Sequence, residues 1–298
     1  MTPSSSTRTL FVPDSSPPHA LKVHFPFRIS RYGRRMRDEV VEQAVTVSRE
    51  LQEFAPALDH DFGFLREVLG ITAREEGTSS QRGENWGYLI RDLRPFPLGK
   101  PGTSLIPGFA LYGHDYFHPE TPLLLYDLVG EGDPLSFVME EIMFPVIRHW
   151  VACFRRLGFL LEPHGQNVLL EAEEDGTLTR IVYRDLNLGV DNRRRRDLGL
   201  PVSRTNTYNQ METGEFASIT YDKFMGGHFF DPLGEALGNF VPTLVPEDLR
   251  EPCRQEFARA FPDHRRYLPR TVHYFSEERD RFGKPLFQDT GVDPVWRP

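Results

Sequence analysis

The sequence predicts an α+β fold, an antiparallel sheet with packed helices. Three observations carry that reading. Residues 38–54 repeat apolar side chains every three or four positions, residues 133–158 do so over a longer span, and two β-like runs flank an Asp-Gly pair at 175–176. Helical and strand periods thus fall in separate stretches, without the regular alternation of a doubly wound parallel sheet.

The elements follow in order. Residues 1–20 hold a Ser/Thr cluster and then Pro13, Asp14, Ser15, Ser16, Pro17 and Pro18, a composition that reads as a tail or loop. Leu21 to Phe27 alternates and predicts a half-buried strand. From Asp38, the residues Val41, Ala44, Val45, Leu51 and Phe54 form one apolar stripe, while Arg49, Glu50, Gln52 and Glu53 stand opposite. Between Trp86 and Ile106, Pro and Gly interrupt the chain, leaving short strands at Tyr88 to Asp92 and Ser104 to Ile106. Asp133 followed by Pro134 starts a long helix that closes on Gly158, or two helices broken near Pro145. Asn167 to Ala172 and Leu178 to Tyr183 then form a hairpin, and Pro246 starts a helix to Phe261. The end, from Tyr274, reads as irregular with one or two short strands. Arg193 to Arg196 reads as a solvated loop, Trp150 as core, and His149, His228 and His273 as ordinary polar positions.

With 298 residues the chain can bury a sizeable core, and 35 basic against 43 acidic residues give a net charge of −8. That field repels nucleic-acid backbones and anionic membranes, so neither is an expected partner. Cys153 and Cys253 are too few for a four-cysteine cluster or a disulfide framework, which fits a reducing cytoplasm.

The hairpin makes a geometric prediction. A two-residue turn at Asp175-Gly176 pairs Glu174 with Thr177, and so places Asn167 opposite Arg184 and Gln166 opposite Asp185. The strings EPHGQN (Glu162 to Asn167) and RDLNLG (Arg184 to Gly189) then meet at its open end. Carboxylates and a carboxamide there supply hard oxygen ligands for Mg²⁺, with a His as phosphate donor. A kinase-type site uses a His-Gly-Asp loop, but here Gln166 stands where the proton-accepting carboxylate would be.

These strings resemble the signature of the siderophore synthetases that work without a nonribosomal peptide synthetase, the IucA/IucC family. Its E-x-H-x-Q-N string is followed by R-D-x-x-G. Upstream, SSSTRT (Ser4 to Thr9), LKVHFPF with Lys22, and ISRYGR (Ile29 to Arg34) are similar to further family strings in the right order, and LPRTVHYF (Leu268 to Phe275) is similar to a late one. The family's H-P-x-H-P-x-x-K string is absent, so the chain is expected to correspond to the C-terminal part of a synthetase. Arg31 stands where the family usually has Asn.

The resemblance implies a palm-like, distantly kinase-like ATP-binding architecture. It divides the chain into a phosphate-loop segment or tail (1–20), the remainder of an N-terminal or central region (21–130) and a C-terminal FhuF-like region (131–298). It implies ATP and Mg²⁺ as cofactors and adenylation of a carboxylate, citrate or a related acid, for transfer to an amine or hydroxyl. Ser6, Arg8, Lys22, His164 and Asn167 are then ATP-binding, Glu162, Asn167 and Asp185 metal-binding, and Arg34 and Arg270 substrate-binding, with His164 and Arg34 catalytic. Small-molecule substrates are the expected partners, and a homodimer is an open expectation. The alternatives are an FhuF-like ferric-siderophore reductase and a non-catalytic binding protein related to iron or siderophores.

Overall fold

The computed structural model describes residues 1–3, 8–25, 28–29, 32–33 (backbone only for the last two pairs), 36–55, 58, 61–72, 87–118, 121–202, 209–280 and 285–298. Its frame is an eight-stranded sheet in the spatial order Thr2–Pro3, Thr9–Val12, His19–Val23, Tyr88–Phe96, Phe62–Ile71, Leu178–Tyr183, Val168–Ala172 and Ser104–Pro107. Every neighbouring pair is antiparallel except Phe62–Ile71 with Leu178–Tyr183, which is parallel. The α+β architecture therefore holds, with one parallel pairing inside it.

The described residues among the first twenty are not a tail. Thr9, Leu10, Phe11 and Val12 are strand formers and pair with His19 to Lys22, while Thr2 and Pro3 pair with Phe11 and Leu10. Composition counted the Pro and Ser of the connecting turn and missed the four residues that bury a ladder. The next strand starts and ends earlier than alternation suggested, at His19–Val23. The strand from Tyr88 runs on to Phe96, beyond the predicted Asp92, and Phe62–Ile71 was not predicted at all.

The hairpin keeps the predicted register by a different turn. Glu173 and Thr177 close a three-residue loop, with Gly176 at φ +88° and Thr177 N donating to the Asp175 carboxylate at 3.0 Å. A bulge at Glu171/Ala172 takes up the odd residue, so Val168 still faces Tyr183 and Arg184 N donates to Asn167 O at 3.1 Å.

The helix Asp38–Phe54 lies where predicted, as does Pro246–Ala260. The Asp133 side chain caps the next helix by accepting from Ser136 N at 2.7 Å, and Gly158 ends it at φ +68°. It does not break at Pro145. Residues Val138–Met143 widen to i→i+5 hydrogen bonding, and the helix then continues as Phe144–Leu157, with Pro145, which has no N–H to donate, directly after the widened segment. A second widened segment, Ile219–Phe230, links Glu215–Ser218 to Asp231–Phe240. Trp150 is fully buried between them, its indole N–H on Thr220 Oγ1 at 3.2 Å, with Phe154 stacked and Tyr221 edge-on.

Arg193 to Arg196 do not form a solvated loop. They lie in the helix Asn192–Asp197, and Arg195 is buried, donating to Leu157 O and Pro201 O and pairing with Glu50 at 2.9 Å. Arg194 donates to Arg155 O. The carbonyls at the end of Phe144–Leu157 need donors once buried, and these guanidinium groups supply them. At the C-terminus, Arg297 is buried in a two-pronged pair with Asp222, and Trp296 bonds Asp231. Among the described residues, no helix is long and apolar enough to cross a membrane.

Candidate functional site

Four adjacent strands each contribute one charge to a continuous row. Lys22 comes from His19–Val23, Arg91 from Tyr88–Phe96, Glu67 from Phe62–Ile71, and Asp185 from just beyond Leu178–Tyr183. Lys22 Nζ donates to Asp185 Oδ1 in a direct ion pair, and Arg91 lies 3.9 Å from the same oxygen. Arg91 is itself held by Glu67 Oε1, at 3.0 Å from Nε and 2.5 Å from Nη2. The row is anchored at its centre and open at Asp185, whose side chain keeps 36% of its exposure against 9% for Lys22.

Asp185 also holds a left-handed backbone at φ +69°, the one non-glycine to do so among the described residues. Asp tolerates that conformation better than most residues, and here it turns the carboxylate back toward the sheet. Burial pushes the Asp185 carboxyl up, but the charges of Lys22 and Arg91 outweigh it and hold the group well below the usual carboxylate range. Burial pulls the Lys22 ammonium below its ordinary value, offset only in part by Asp185.

The other half of the site is the turn that carries EPHGQN. His164 O accepts from Asn167 N and Val168 N at 2.8 and 3.1 Å, which makes the loop tight. Gly165 is required there: its carbonyl accepts from Phe109 N at 2.9 Å, and a Cβ would stand 2.1 Å from Tyr112 Oη. Glu162 precedes the turn. Burial first, and the negative charge of Asp185 second, push its carboxyl up to about 8.

Both halves face one cavity of about 640 Å³. Of the residues singled out from sequence, Arg8, Lys22, Glu162, His164 and Asp185 line it. Ser6 and Arg34 lie outside the described residues. Asn167 is buried but does not line the cavity, since its backbone is tied to His164 and Arg184 at the base of the hairpin. Arg270 is exposed and is not a lining residue either. His228, read as an ordinary polar position, does line it, and burial lowers its imidazole pKa.

Sequence reasoning missed two further sets of residues. Asn187 sits inside RDLNLG, with a buried Oδ1 that has no partner among the described residues, and Asn209 donates to Asn187 O at 3.1 Å. A wall of aromatic side chains, including Phe216, Phe224, Phe275 and Phe287, also lines the cavity. Asn187 was visible within a motif already singled out. The aromatic wall comes from separate helical and strand segments and had no local signal.

Hard oxygen ligands suit Mg²⁺, and Glu162 and Asp185 are the two carboxylates that face the cavity together. Their mutual repulsion is a condition that a bound cation would relieve, so this donor pair fits the ion; Asn167 adds nothing from its position. Among the described residues no group of three acidic, histidine or cysteine side chains is placed to hold a metal ion.

Comparison with known proteins bears on the same two halves. Residues 1–113 match the IucA / IucC family, and residues 140–241 match a family described as ferric iron reductase FhuF-like transporter. Comparison with curated protein sequences finds no match. Among solved structures, the chain is similar to the petrobactin biosynthesis protein AsbB from Bacillus anthracis str. Sterne, with a TM-score of 0.67 at 15% identity over 94% of this chain and 50% of that one. It is also similar to ATP-bound aerobactin synthetase IucA from a hypervirulent pathotype of Klebsiella pneumoniae, with a TM-score of 0.68 at 16% identity over 87% and 47%. Aerobactin synthetase IucC from the same source gives 0.62 at 15% over 83% and 43%. The chain spans about half the length of these relatives. Residues 1–113 thus match the IucA / IucC family, and the chain shares its fold with three siderophore-biosynthesis proteins.

Proposed function

We infer that the cavity binds ATP and activates a carboxylate as an acyl-adenylate for condensation with an amine or hydroxyl. The observation that carries this is the convergence of Arg8 and Lys22, from the first strands, on Glu162, His164 and Asp185, from the hairpin's open end. In a chain of net charge −8, an ammonium, an arginine and a histidine gathered on one cavity supply cationic and donor groups that suit a polyphosphate.

The chemistry asks little of the protein beyond alignment. A carboxylate oxygen attacks the α-phosphorus, the bond to pyrophosphate breaks, and pyrophosphate leaves with its electron pair; no proton moves in this step. The amine or hydroxyl then attacks the acyl carbon, AMP departs, and the nucleophile's proton passes to solvent or to a nearby base. Neither step needs a Ser or Cys nucleophile. Arg8 and Lys22 would hold phosphate oxygens, and His164 would donate to the reacting carboxylate or the α-phosphate. Ser6 and Asn167 are proposed at the ATP, and Arg34 and Arg270 at the acid, on the family resemblance alone. Glu162 and Asp185 would hold Mg²⁺, which when bound neutralises phosphate charge.

The reductase reading has less support. Cys153 and Cys253 are both buried, and burial pushes the Cys253 thiol up to about 12, away from the thiolate that an iron–sulfur cluster requires.

The test is calorimetry of ATP binding with and without Mg²⁺, together with carboxylate-dependent exchange of labelled pyrophosphate into ATP. Binding that is lost in Arg8→Ala and weakened in Asp185→Ala supports the reading. Absence of nucleotide binding would leave the non-catalytic binding protein as the better account.

A further inference from the structure

The second half of the proposed reaction releases a proton, and the cavity holds a group able to take it. His228 lies on the widened segment Ile219–Phe230 and lines the cavity. Its ring stacks on Phe224 of the same segment at a centroid separation of 5.8 Å and an angle of 28°, while His164 meets that phenyl edge-on at 5.9 Å. Two imidazoles from different parts of the chain therefore share one aromatic neighbour. Tyr112 ties their backbones together. Its Oη donates to His228 O at 3.3 Å and packs against Gly165, where a Cβ would stand 2.1 Å from it.

The His228 imidazole is exposed, and among the described residues neither of its nitrogens has a hydrogen-bond partner. Partial burial first, and the Lys223 ammonium second, lower its pKa, so the ring is uncharged at neutral pH and keeps a lone pair. Around the same cavity stand His164, Tyr112 and Tyr274, and Lys223 Nζ lies 5.8 Å from the centre of the Tyr274 ring. The other acceptors lining the cavity have different roles. Asp185 is paired with Lys22, and Glu162 stands with it in the donor pair that fits Mg²⁺. The Tyr112 phenol, pushed up by burial, would have to ionise first. His164, on the EPHGQN loop, is taken as the donor to the acid or the α-phosphate.

We propose that His228 is the base of the transfer half-reaction, its free ring nitrogen taking the proton of the amine or hydroxyl as that group attacks the acyl-adenylate. A bond forms from the nucleophile to the acyl carbon, and the bond from that carbon to the phosphate oxygen breaks. AMP leaves with the electron pair, and the proton passes to His228 and then to solvent. The inference rests on the adenylation reading and names a residue for the step that reading leaves to solvent or a nearby base.

The test separates the two half-reactions in the full chain, with citrate or succinate as the acid and ethanolamine as the nucleophile. Exchange of labelled pyrophosphate into ATP reports the first half, and mass spectrometry of the condensed product reports the second. His228→Gln should slow condensation about a hundredfold more than it slows exchange. The ratio of condensation rates, unsubstituted protein over His228→Gln, cancels the titration of the nucleophile and should fall in acid with a midpoint below the ordinary imidazole value. In His228→Ala, added imidazole should restore part of the condensation without raising exchange, which a packing role for His228 would not produce. Equal slowing of both half-reactions, a ratio that does not change with pH, or exchange without condensation would overturn the proposal and leave the adenylation reading standing. Absence of exchange with both acids would reject that reading and this inference with it.

Discussion

Asp185→Asn isolates the charge at the centre of the site. Asn tolerates the left-handed backbone that residue 185 adopts at φ +69°, so the substitution removes the negative charge without adding strain. What remains is the buried Lys22 ammonium without its paired carboxylate, beside an Arg91 still held by Glu67. Removing one partner of a buried ion pair costs about 3–5 kcal/mol, and the 36% exposure of the Asp185 side chain brings this down to about 2 kcal/mol through solvent screening. With a urea dependence of about 2 kcal/mol per molar, the unfolding midpoint at pH 7 falls by about 1 M. Fluorescence of the buried Trp150 and Trp296 reports the transition.

The pH dependence gives the sharper check. The folded-state pKa of Asp185 is depressed, so its contribution is complete above its unfolded value, about 4, and disappears as pH falls through the lower folded value. At the alkaline end Lys22 decides. Its folded pKa is already lowered, and without Asp185 it falls further, so in the variant the unfolded chain binds more protons than the folded one and stability rises with pH. The deficit of Asp185→Asn is therefore greatest near neutrality and shrinks toward pH 10. Lys22→Met in the same chain should recover most of the loss, because it removes the stranded charge. A deficit under about 0.5 kcal/mol, or one that stays flat from pH 6 to pH 9.5, would refute the account.

The remaining predictions concern positions outside the ion pair. Arg195→Met should cost about 3–5 kcal/mol in calorimetric unfolding, because Leu157 O and Pro201 O lose their donor and Glu50 its partner. Gly165→Ala should abolish ATP binding in titration while leaving the fold intact by circular dichroism, since the new Cβ collides with Tyr112 Oη; adding Tyr112→Phe should restore part of the binding. Arg297→Ala should lower the melting temperature by several degrees and lower it least in acid, where the stranded Asp222 takes a proton.

Much of the fold could be read from the sequence where one residue type settles a local question. Asp133, Pro134 and Gly158 fixed both ends of a helix because a cap, a missing N–H and a left-handed residue each act within one turn. Phe62–Ile71 gave no such signal. Its first half is buried on both faces between a parallel and an antiparallel neighbour, so its apolar residues run together instead of alternating. The run from Glu215 to Phe240 was missed for a similar reason. It is apolar around much of its girth, contains Gly226-Gly227, and widens to i→i+5 bonding through Ile219–Phe230, so no 3.6-residue stripe survives.

The site divides along the same line. Its charged end was legible because a hairpin is a ruler: once the Asp-Gly turn is placed, EPHGQN and RDLNLG must meet, and a compensating bulge kept that register even though the turn itself is longer. Lys22 and Arg8 were not placed there by any spacing. They arrive because His19–Val23 lies two strands from Phe62–Ile71 and three from Leu178–Tyr183, a property of sheet order that no local pattern encodes. The aromatic end depends on still more distant pairings, helix residues 216 and 224 against strand residues 275 and 287. Charges at short spacing can therefore be carried by a string, whereas an aromatic wall is assembled by tertiary packing.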